Sequence, residues 1–252
     1  MALPSWKARV GLVIMALGAL VALPRLAIAQ VPVDLELILA VDASDSVSAA
    51  EFDLQVQGLA GAFRDTEVIA AIRDTGPTGI AVALVQWAGP GQQIVAVDWS
   101  RVSDADSAAA LARRIVAAGR LIMGETAIDG GLAFAMDLLT TNDLAARRRI
   151  IDVSGDGETN WGAPPDRMRD RAVAAGITVN GLAIVNKEPG LAEYYRVHVI
   201  GGAGAFVVTA TNYVDFARAI RIKLIREIGE GPLSYRPSSP YRPGAGQHRR
   251  NG

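Results

Sequence analysis

The run Leu35-Glu36-Leu37-Ile38-Leu39-Ala40-Val41 leads directly into Asp42-Ala43-Ser44-Asp45-Ser46. The first part is nearly all apolar, which is typical of a strand buried on both faces of a sheet. The second part is polar and follows the carboxyl end of that strand, where α/β sheets bind their ligands. The junction therefore predicts both a buried strand and the position of a candidate site.

The rest of the chain alternates between strand and helix patterns. Apolar runs predict further strands over residues 80–87, 93–97, 149–153, 177–184 and 205–210. Helices are predicted after a capping box at Ser48 to Glu51, over residues 103–119 and 127–139, from Pro165 to Gly176, over residues 191–198, and up to Gly229. The loop of residues 88–92 is too short for a crossover helix, so the strands that flank it are antiparallel. This order predicts an α/β fold, a three-layer, doubly wound domain whose mainly parallel six-stranded sheet has one antiparallel edge strand.

Residues 1–29 have the three parts of a secretory signal peptide. Lys7 and Arg9 form a basic start, residues 10–23 are apolar, and Ala27-Ile28-Ala29 supplies the small residues that a signal peptidase requires. The alternative is an uncleaved membrane anchor, but this apolar run is shorter than the ~20 residues that cross a bilayer as a helix. We expect cleavage before Gln30 and export to a bacterial periplasm or to the cell exterior.

Charge is distributed unevenly along the chain. Removal of residues 1–29 leaves 22 basic and 26 acidic residues, and residues 232–252 hold four of the basic ones and no acid. The body, residues 30–231, is therefore acidic, which argues against a nucleic-acid partner. Residues 232–252 combine proline and glycine with polar residues, so we expect a disordered C-terminal tail after a single folded domain over residues 30–231.

The composition excludes several kinds of chemistry. Cysteine is absent, and His198 and His248 are the only histidines. Disulfide scaffolds, zinc–thiolate sites, thiol catalysis and multi-histidine metal centres are therefore excluded. The sequence has no G-x-S-x-G elbow and no phosphate-binding P-loop, and one histidine in the body gives little support to a Ser-His-Asp triad.

Five oxygen-bearing side chains lie at the ends of predicted elements: Asp42, Ser44, Ser46, Thr126 and Asp156. The first three alternate after the first strand, so in an extended turn their oxygens face the same way. Thr126 stands before a helix, and Asp156 lies in a glycine-flanked turn after the fourth strand. Two carboxylates and three hydroxyls are a hard donor set, which favours Mg²⁺, with Mn²⁺ or Ca²⁺ as alternatives.

Each of these residues also has an ordinary structural explanation. Serines are common in turns, and Asp156-Gly157 is a common turn dipeptide. Thr126 with Asp129 fits a helix capping box, in which the threonine hydroxyl would serve the backbone instead of a metal. The joint occurrence of the motifs, in order and each at the end of its element, favours the metal site.

Three further residues are expected near this site: Asp45, Glu158 and Trp161. Direct ligation by Asp45 or Glu158 would give the site too much negative charge, so we expect both to be solvated or to act indirectly. Trp161 is either an exposed anchor for a partner or a core residue.

Together the motifs resemble the metal-ion-dependent adhesion site (MIDAS) of von Willebrand factor A-type domains. The D-x-S-x-S pattern is complete as Asp42, Ser44 and Ser46, the distal threonine matches Thr126, and the second aspartate matches Asp156. The resemblance covers residues 34–228 and is greatest to secreted proteobacterial members of unknown function. Gly155 departs from the commoner T-D-G form of the last motif.

The resemblance implies that the first and fourth strands are neighbours and bring the two aspartates together. It implies that the serines and the threonine contact the metal, that the aspartates bind directly or through water, and that one coordination position stays free for a carboxylate of a protein partner.

We therefore expect an exported, non-catalytic binding module that uses Mg²⁺ to coordinate a Glu or Asp of a protein partner. One alternative is a metal-dependent, phosphoesterase-like hydrolase in which the cation activates water and Glu125 or Glu158 acts as the base. Another is a structural domain whose metal only stabilises the loops.

Overall fold

The computed structural model describes residues 30–229. The strands in this range are β1 (Val31–Asp42), β2 (Ile80–Trp87), β3 (Gln93–Val102), β4 (Leu144–Gly155), β5 (Thr178–Ile184) and β6 (Val207–Ala210). The helices are α1 (Ala49–Ala62), α2 (Thr66–Thr75), α3 (Ala105–Ala118), α4 (Ile128–Thr140), α5 (Asp166–Ala174), α6 (Leu191–Tyr194) and α7 (Phe216–Ile228). The signal peptide predicted for residues 1–29 and the tail predicted for residues 232–252 lie outside the described residues.

The six strands form one sheet in the order β3-β2-β1-β4-β5-β6. β1 pairs in parallel with β2 on one side and with β4 on the other, and only β3, at the edge, runs antiparallel to its neighbour. The predicted fold class is therefore confirmed, as is the expectation that the first and fourth strands adjoin. Chain connections leave β1 and β4 in opposite directions, so the carboxyl ends of these strands flank the point where the strand order reverses.

The sheet is covered by helices on both faces, which explains why β1 is apolar throughout. Leu35, Leu37 and Leu39 pack in a core that also contains buried residues of α1, α2, α3 and α7. Ile38 and Ala40 point the other way, into a second core with residues of α4, α5 and α6. This alternation is the period of a strand that is buried on both sides.

The structure corrects several local predictions. α2 was not predicted; its start is stabilised by Asp65, whose carboxylate accepts hydrogen bonds from the backbone of Glu67 and Val68. The helix predicted over residues 103–119 is α3, which begins at Ala105 after a capping box formed by Asp104 and Ser107. The helix predicted over residues 191–198 is the short α6 followed by a π-helical turn over Tyr195–Val199. In contrast, the capping box of Ser48 and Glu51 at α1 is confirmed.

Among residues 30–229, no helix has both the length and the apolar character that a membrane span requires.

A buried ionic cluster joins α7 to the sheet. The ammonium of Lys223 lies 2.5 Å from a carboxylate oxygen of Asp152 on β4 and 2.6 Å from Oε1 of Glu227. The side-chain amide of Asn180 on β5 donates to the same Glu227 oxygen at 2.9 Å. One ammonium faces two carboxylates, so burial and the charge of Asp152 raise the pKa of Glu227 to about 8.

This cluster predicts a pH dependence of stability. Because the pKa of Glu227 is raised on folding, its contribution to the free energy of unfolding is complete at low pH and is lost as the pH rises from about 4.5 to 8. Glu227→Gln keeps the hydrogen-bonding shape and removes the ionisation. Its free energy of unfolding, relative to the wild type, should therefore increase over this range by at most about 1.4 kcal/mol per pH unit.

Urea unfolding in chelator at pH 5, 7 and 8.5 measures this difference. Glu193, an exposed residue that forms an ion pair with Arg196, provides the control substitution Glu193→Gln. A difference between Glu227→Gln and the wild type that stays constant with pH would contradict the prediction.

Candidate metal centre

Asp42 is the last residue of β1 and is completely buried. Its Oδ1 accepts a hydrogen bond of 2.8 Å from the backbone N–H of Ser44, which closes the turn after the strand. Its Oδ2 is buried and has no hydrogen-bond partner within the described part of the chain. The first motif is thus a tight turn that holds one carboxylate oxygen and leaves the other without a donor.

A chain of hydrogen bonds connects the first motif with the last. The hydroxyls of Ser44 and Ser46 lie 3.1 Å apart, and the Ser46 hydroxyl donates to Asp156 Oδ1 at 2.6 Å. Asp156 follows β4 directly and its side chain is buried. Four of the five predicted donors therefore converge beyond the neighbouring carboxyl ends of β1 and β4.

Thr126 lies on the same edge of the sheet, at the residue before the N-cap of α4. The carbonyl of Gly124 accepts a hydrogen bond from the Asp45 N–H at 2.7 Å. The backbone N–H of Thr126 donates to Oδ1 of Asn160 at 2.9 Å, and its carbonyl accepts from the Asn160 N–H at 3.0 Å. The capping box with Asp129 does not form, since α4 has no side-chain cap and Asp129 accepts from the Ala163 N–H instead. The Thr126 hydroxyl is therefore not used as a helix cap.

The electrostatics of these residues favour a positive charge beside Asp42. Burial, strengthened by the nearby charge of Asp156, raises the pKa of Asp42 to about 7. A buried carboxylate with a free oxygen is costly unless a positive charge or a donor reaches it. Within residues 30–229, no group of three or more carboxylate, histidine or cysteine side chains forms a metal site. A cation here would rely on two carboxylates, on hydroxyls and on water, as Mg²⁺ does in proteins.

Arg120 was missed by the sequence analysis. Its guanidinium donates to the carbonyls of Ala43, Ser44 and Val47 at 2.7, 2.6 and 2.8 Å. These bonds connect the loop after α3 with the turn of the first motif. A hydrogen bond to a carbonyl group is stronger when its donor is charged. Arg120 therefore stabilises the turn conformation that places the two serine hydroxyls side by side.

Lys187, in the loop after β5, was also missed. Its ammonium lies 2.8 Å from Asp156 Oδ2 and 3.5 Å from Glu51 Oε2, and it donates to the carbonyl of Ser46. Burial lowers the pKa of Lys187, but the hydrogen bonds and charges of Asp156 and Glu51 outweigh it and raise the pKa overall. The lysine is therefore charged and in contact with a predicted metal ligand.

Gly155 departs from the commoner motif for a steric reason. A Cβ atom at this position would lie 2.7 Å from the Tyr195 hydroxyl and 2.9 Å from Asp42 Oδ2. Tyr195 is fully buried, and its hydroxyl has no hydrogen-bond partner among the described residues. The glycine thus leaves space that the tyrosine hydroxyl occupies beside the aspartate.

The surroundings of the site are exposed. The backbone N–H of Trp161 donates to the Thr126 carbonyl, and Trp161 is 58% exposed. In the loop before Thr126, Leu121 is 49% exposed and Met123 is 57% exposed. Asp45, Glu125 and Glu158 are also exposed. His198 lies elsewhere, in the π-helical turn, where it pairs with Asp166 at 2.9 Å.

The sheet order, with helices on both faces, is that of a von Willebrand factor A-like, Rossmann-like α/β fold. The chain belongs to the family described as "Protein of unknown function (DUF1194)", whose model matches residues 32–232. No curated protein matches the sequence significantly.

Several solved structures are similar to this chain in fold. Proximal thread matrix protein 1 from the mussel byssus, solved with a zinc-occupied MIDAS motif, is 15% identical with a TM-score of 0.54, over 79% of this chain and 46% of that chain. A von Willebrand factor type A protein from Catenulispora acidiphila is 19% identical with a TM-score of 0.56, over 78% and 43%. The corresponding domain of the pilus tip protein Mfa5 from Porphyromonas gingivalis is 12% identical with a TM-score of 0.53, over 81% and 99%. The chain thus spans less than half the length of the first two, and at these identities the likeness establishes the fold.

Metal binding should be visible as a change in stability. Mg²⁺ at 100 times its dissociation constant should raise the free energy of unfolding by about 2.7 kcal/mol, because only the folded protein has the site. Asp42→Asn should lose this gain, while its stability in chelator should equal or exceed that of the wild type, because the substitution removes an uncompensated buried charge.

Thermal unfolding with chelator and with a Mg²⁺ or Mn²⁺ titration measures both effects. Asp53→Asn, at an exposed position of α1, is the matched control and should respond like the wild type. A wild type without any response to divalent ions would reject the site.

Gly155 and Tyr195 should be energetically coupled. Gly155→Ala should destabilise the protein by about 1–3 kcal/mol, because the added methyl group meets the tyrosine hydroxyl. Tyr195→Phe removes that hydroxyl, so the double variant should recover at least about 0.5 kcal/mol relative to the sum of the single effects. Urea unfolding of the four proteins in chelator gives the coupling, and additive effects would show that the hydroxyl is not the obstacle.

Proposed function

We propose that the chain is an exported, non-catalytic binding module that holds a divalent cation and, through it, coordinates a Glu or Asp side chain of a protein partner. The residues that would hold the cation are Asp42, Ser44, Ser46, Thr126 and Asp156. The observation that carries the proposal is the buried Asp42 Oδ2, which has no donor within the described residues and lies beside a hydroxyl chain ending on a second carboxylate.

A bound cation would supply a positive charge with coordination positions for oxygen ligands. The all-oxygen donor set favours Mg²⁺, with Mn²⁺ or Ca²⁺ as alternatives. The zinc-occupied MIDAS of the mussel protein is consistent with a divalent ion at the equivalent place in this fold.

The exposed surroundings support a protein as the partner. Leu121, Met123 and Trp161 are large apolar side chains on loops that are hydrogen-bonded to the site or adjoin it, and aromatic residues and methionine are enriched at protein interfaces. Asp45, Glu125 and Glu158 give the same surface negative charge. A partner that offers one carboxylate among apolar or basic residues fits this surface better than a strongly acidic one.

Two observations favour binding over hydrolysis. His198 is engaged with Asp166 and belongs to another part of the domain. Glu125 and Glu158, the candidate bases, are both exposed to solvent, and in the described part of the chain neither is held by a hydrogen bond at the two buried aspartates. Export rests on residues 1–29, which lie outside the described residues, and the acidic character of residues 30–231 is consistent with the absence of a nucleic-acid partner.

Capture of a partner in the native host tests the function. The purified wild-type chain should crosslink to a partner in Mg²⁺ and lose it in EDTA, and Asp42→Asn should lose it while Asp53→Asn retains it. Mass spectrometry then identifies the partner's acidic residues at the crosslink, and their replacement by amides should weaken binding at least tenfold.

Two outcomes would contradict the proposal. Capture that persists in EDTA, or a partner whose acids can all be replaced by amides without loss, would remove the cation from the interaction. Hydrolysis of a phosphate ester that disappears in Asp42→Asn would favour the hydrolase instead.

A further inference from the structure

Lys187 contacts three segments that meet at the candidate metal centre. Its ammonium is 2.8 Å from Asp156 Oδ2, 3.5 Å from the Glu51 carboxylate on α1, and bonded to the Ser46 carbonyl. It also lies 5.9 Å from the ring centre of Tyr213. The side chain is 41% exposed, so it reaches the buried carboxylate from the solvent side.

The two aspartates of the site are therefore in different electrostatic situations. Asp156 has a hydroxyl donor on one oxygen and an ammonium on the other. Asp42 has one backbone donor, and its second oxygen has no partner within residues 30–229. The chain itself thus supplies half of the positive charge that a divalent ion would bring to these two carboxylates.

The same contact has a cost for metal binding. Two carboxylates neutralise a divalent ion, and the ammonium adds a further positive charge next to one of them. Like charges at such short range repel each other, and repulsion is stronger where the site is shielded from water. An incoming cation must also share Asp156 with the lysine.

We propose that Lys187 is a built-in competing cation, which stabilises the site without metal and lowers its affinity for divalent ions. The inference rests on the proposed metal site. It adds that Lys187 determines how much of that site is filled at a given concentration of divalent ions. A weaker site fills and empties as the concentration of divalent ions changes, whereas a site without the lysine would stay filled. Glu51 moderates the effect, because its negative charge faces the same ammonium.

The opposing possibility is that Lys187 only positions Asp156. The two roles predict opposite changes in metal affinity when Lys187 is replaced. Loss of a positioning contact weakens metal binding, but loss of a competing charge strengthens it. Stability in chelator falls in either case, because Asp156 then loses its ionic partner.

Calorimetric titration of the full chain with Mg²⁺ and with Mn²⁺ tests the proposal. Lys187→Met keeps the length of the side chain and removes its charge, so it should bind both ions at least tenfold more tightly and unfold at a lower temperature in chelator. Lys187→Arg keeps the charge and should stay within about threefold of the wild type. Arg113→Met, which removes a positive charge from an exposed position of α3, is the control for net charge and should leave the affinity unchanged.

Glu51→Gln is an independent variant, in which the affinity for Mg²⁺ should change in the direction opposite to that in Lys187→Met. Glutamine preserves the capping box with Ser48. Without the facing carboxylate the lysine charge acts more strongly, so the affinity for Mg²⁺ should fall. An affinity for Mg²⁺ that is unchanged or higher in Glu51→Gln would contradict the competing role of Lys187, whether or not Lys187→Met folds.

The outcomes separate this inference from the metal site. A wild type that binds Mg²⁺ and a Lys187→Met variant that binds equally or more weakly would overturn the competing role and leave the metal site standing. Absence of binding in both proteins would overturn the metal site and the inference together. Binding by Lys187→Met alone would support both.

Discussion

The parallel pairing of β1 with β4 is the constraint on which the site depends. The register pairs Val41 with Ser154, so the two strands end side by side, at Asp42 and at Gly155. Two turns that are separated by more than 100 residues are thereby forced into contact, and hydrogen bonding from Ser46 to Asp156 follows from that placement. The apolar character of β1 has the same origin, because a strand in this central position is covered on both faces.

This placement brings two buried negative charges together, and the fold compensates them only in part. Two buried carboxylates at one sheet edge repel each other and lose hydration. Lys187 compensates one of them and a backbone amide partly compensates the other, which leaves Asp42 with a raised pKa of about 7. The two buried clusters differ in the position of the ammonium: that of Lys223 contacts both of its carboxylates, whereas that of Lys187 contacts Asp156 and does not reach Asp42.

The fold and the carboxylate pair could be predicted because their signals are local. A buried strand followed by a polar turn is visible in a dozen residues, and the capping box of α1 is visible in four. Arg120 and Lys187 could not be predicted, because their partners are distant in sequence and nothing near either residue marks it as a contact of the site. Gly155 was visible as a departure from the motif, but its reason, the Tyr195 hydroxyl, required the packing of the π-helical turn against β4.

The balance of charges around the site also bears on what such a module would select. A divalent ion with an open coordination position would attract an anion, and Lys187, whose charge Glu51 partly offsets, would add to that attraction. The surrounding acids would repel a partner that carries several negative charges; these acids are Asp45, Glu125 and Glu158. An isolated carboxylate satisfies both conditions, because it reaches the positive centre without bringing further negative charge to the rim. Selectivity of this kind arises from the arrangement of charges of opposite sign and needs no deep pocket. It therefore suits a site at the carboxyl ends of β1 and β4.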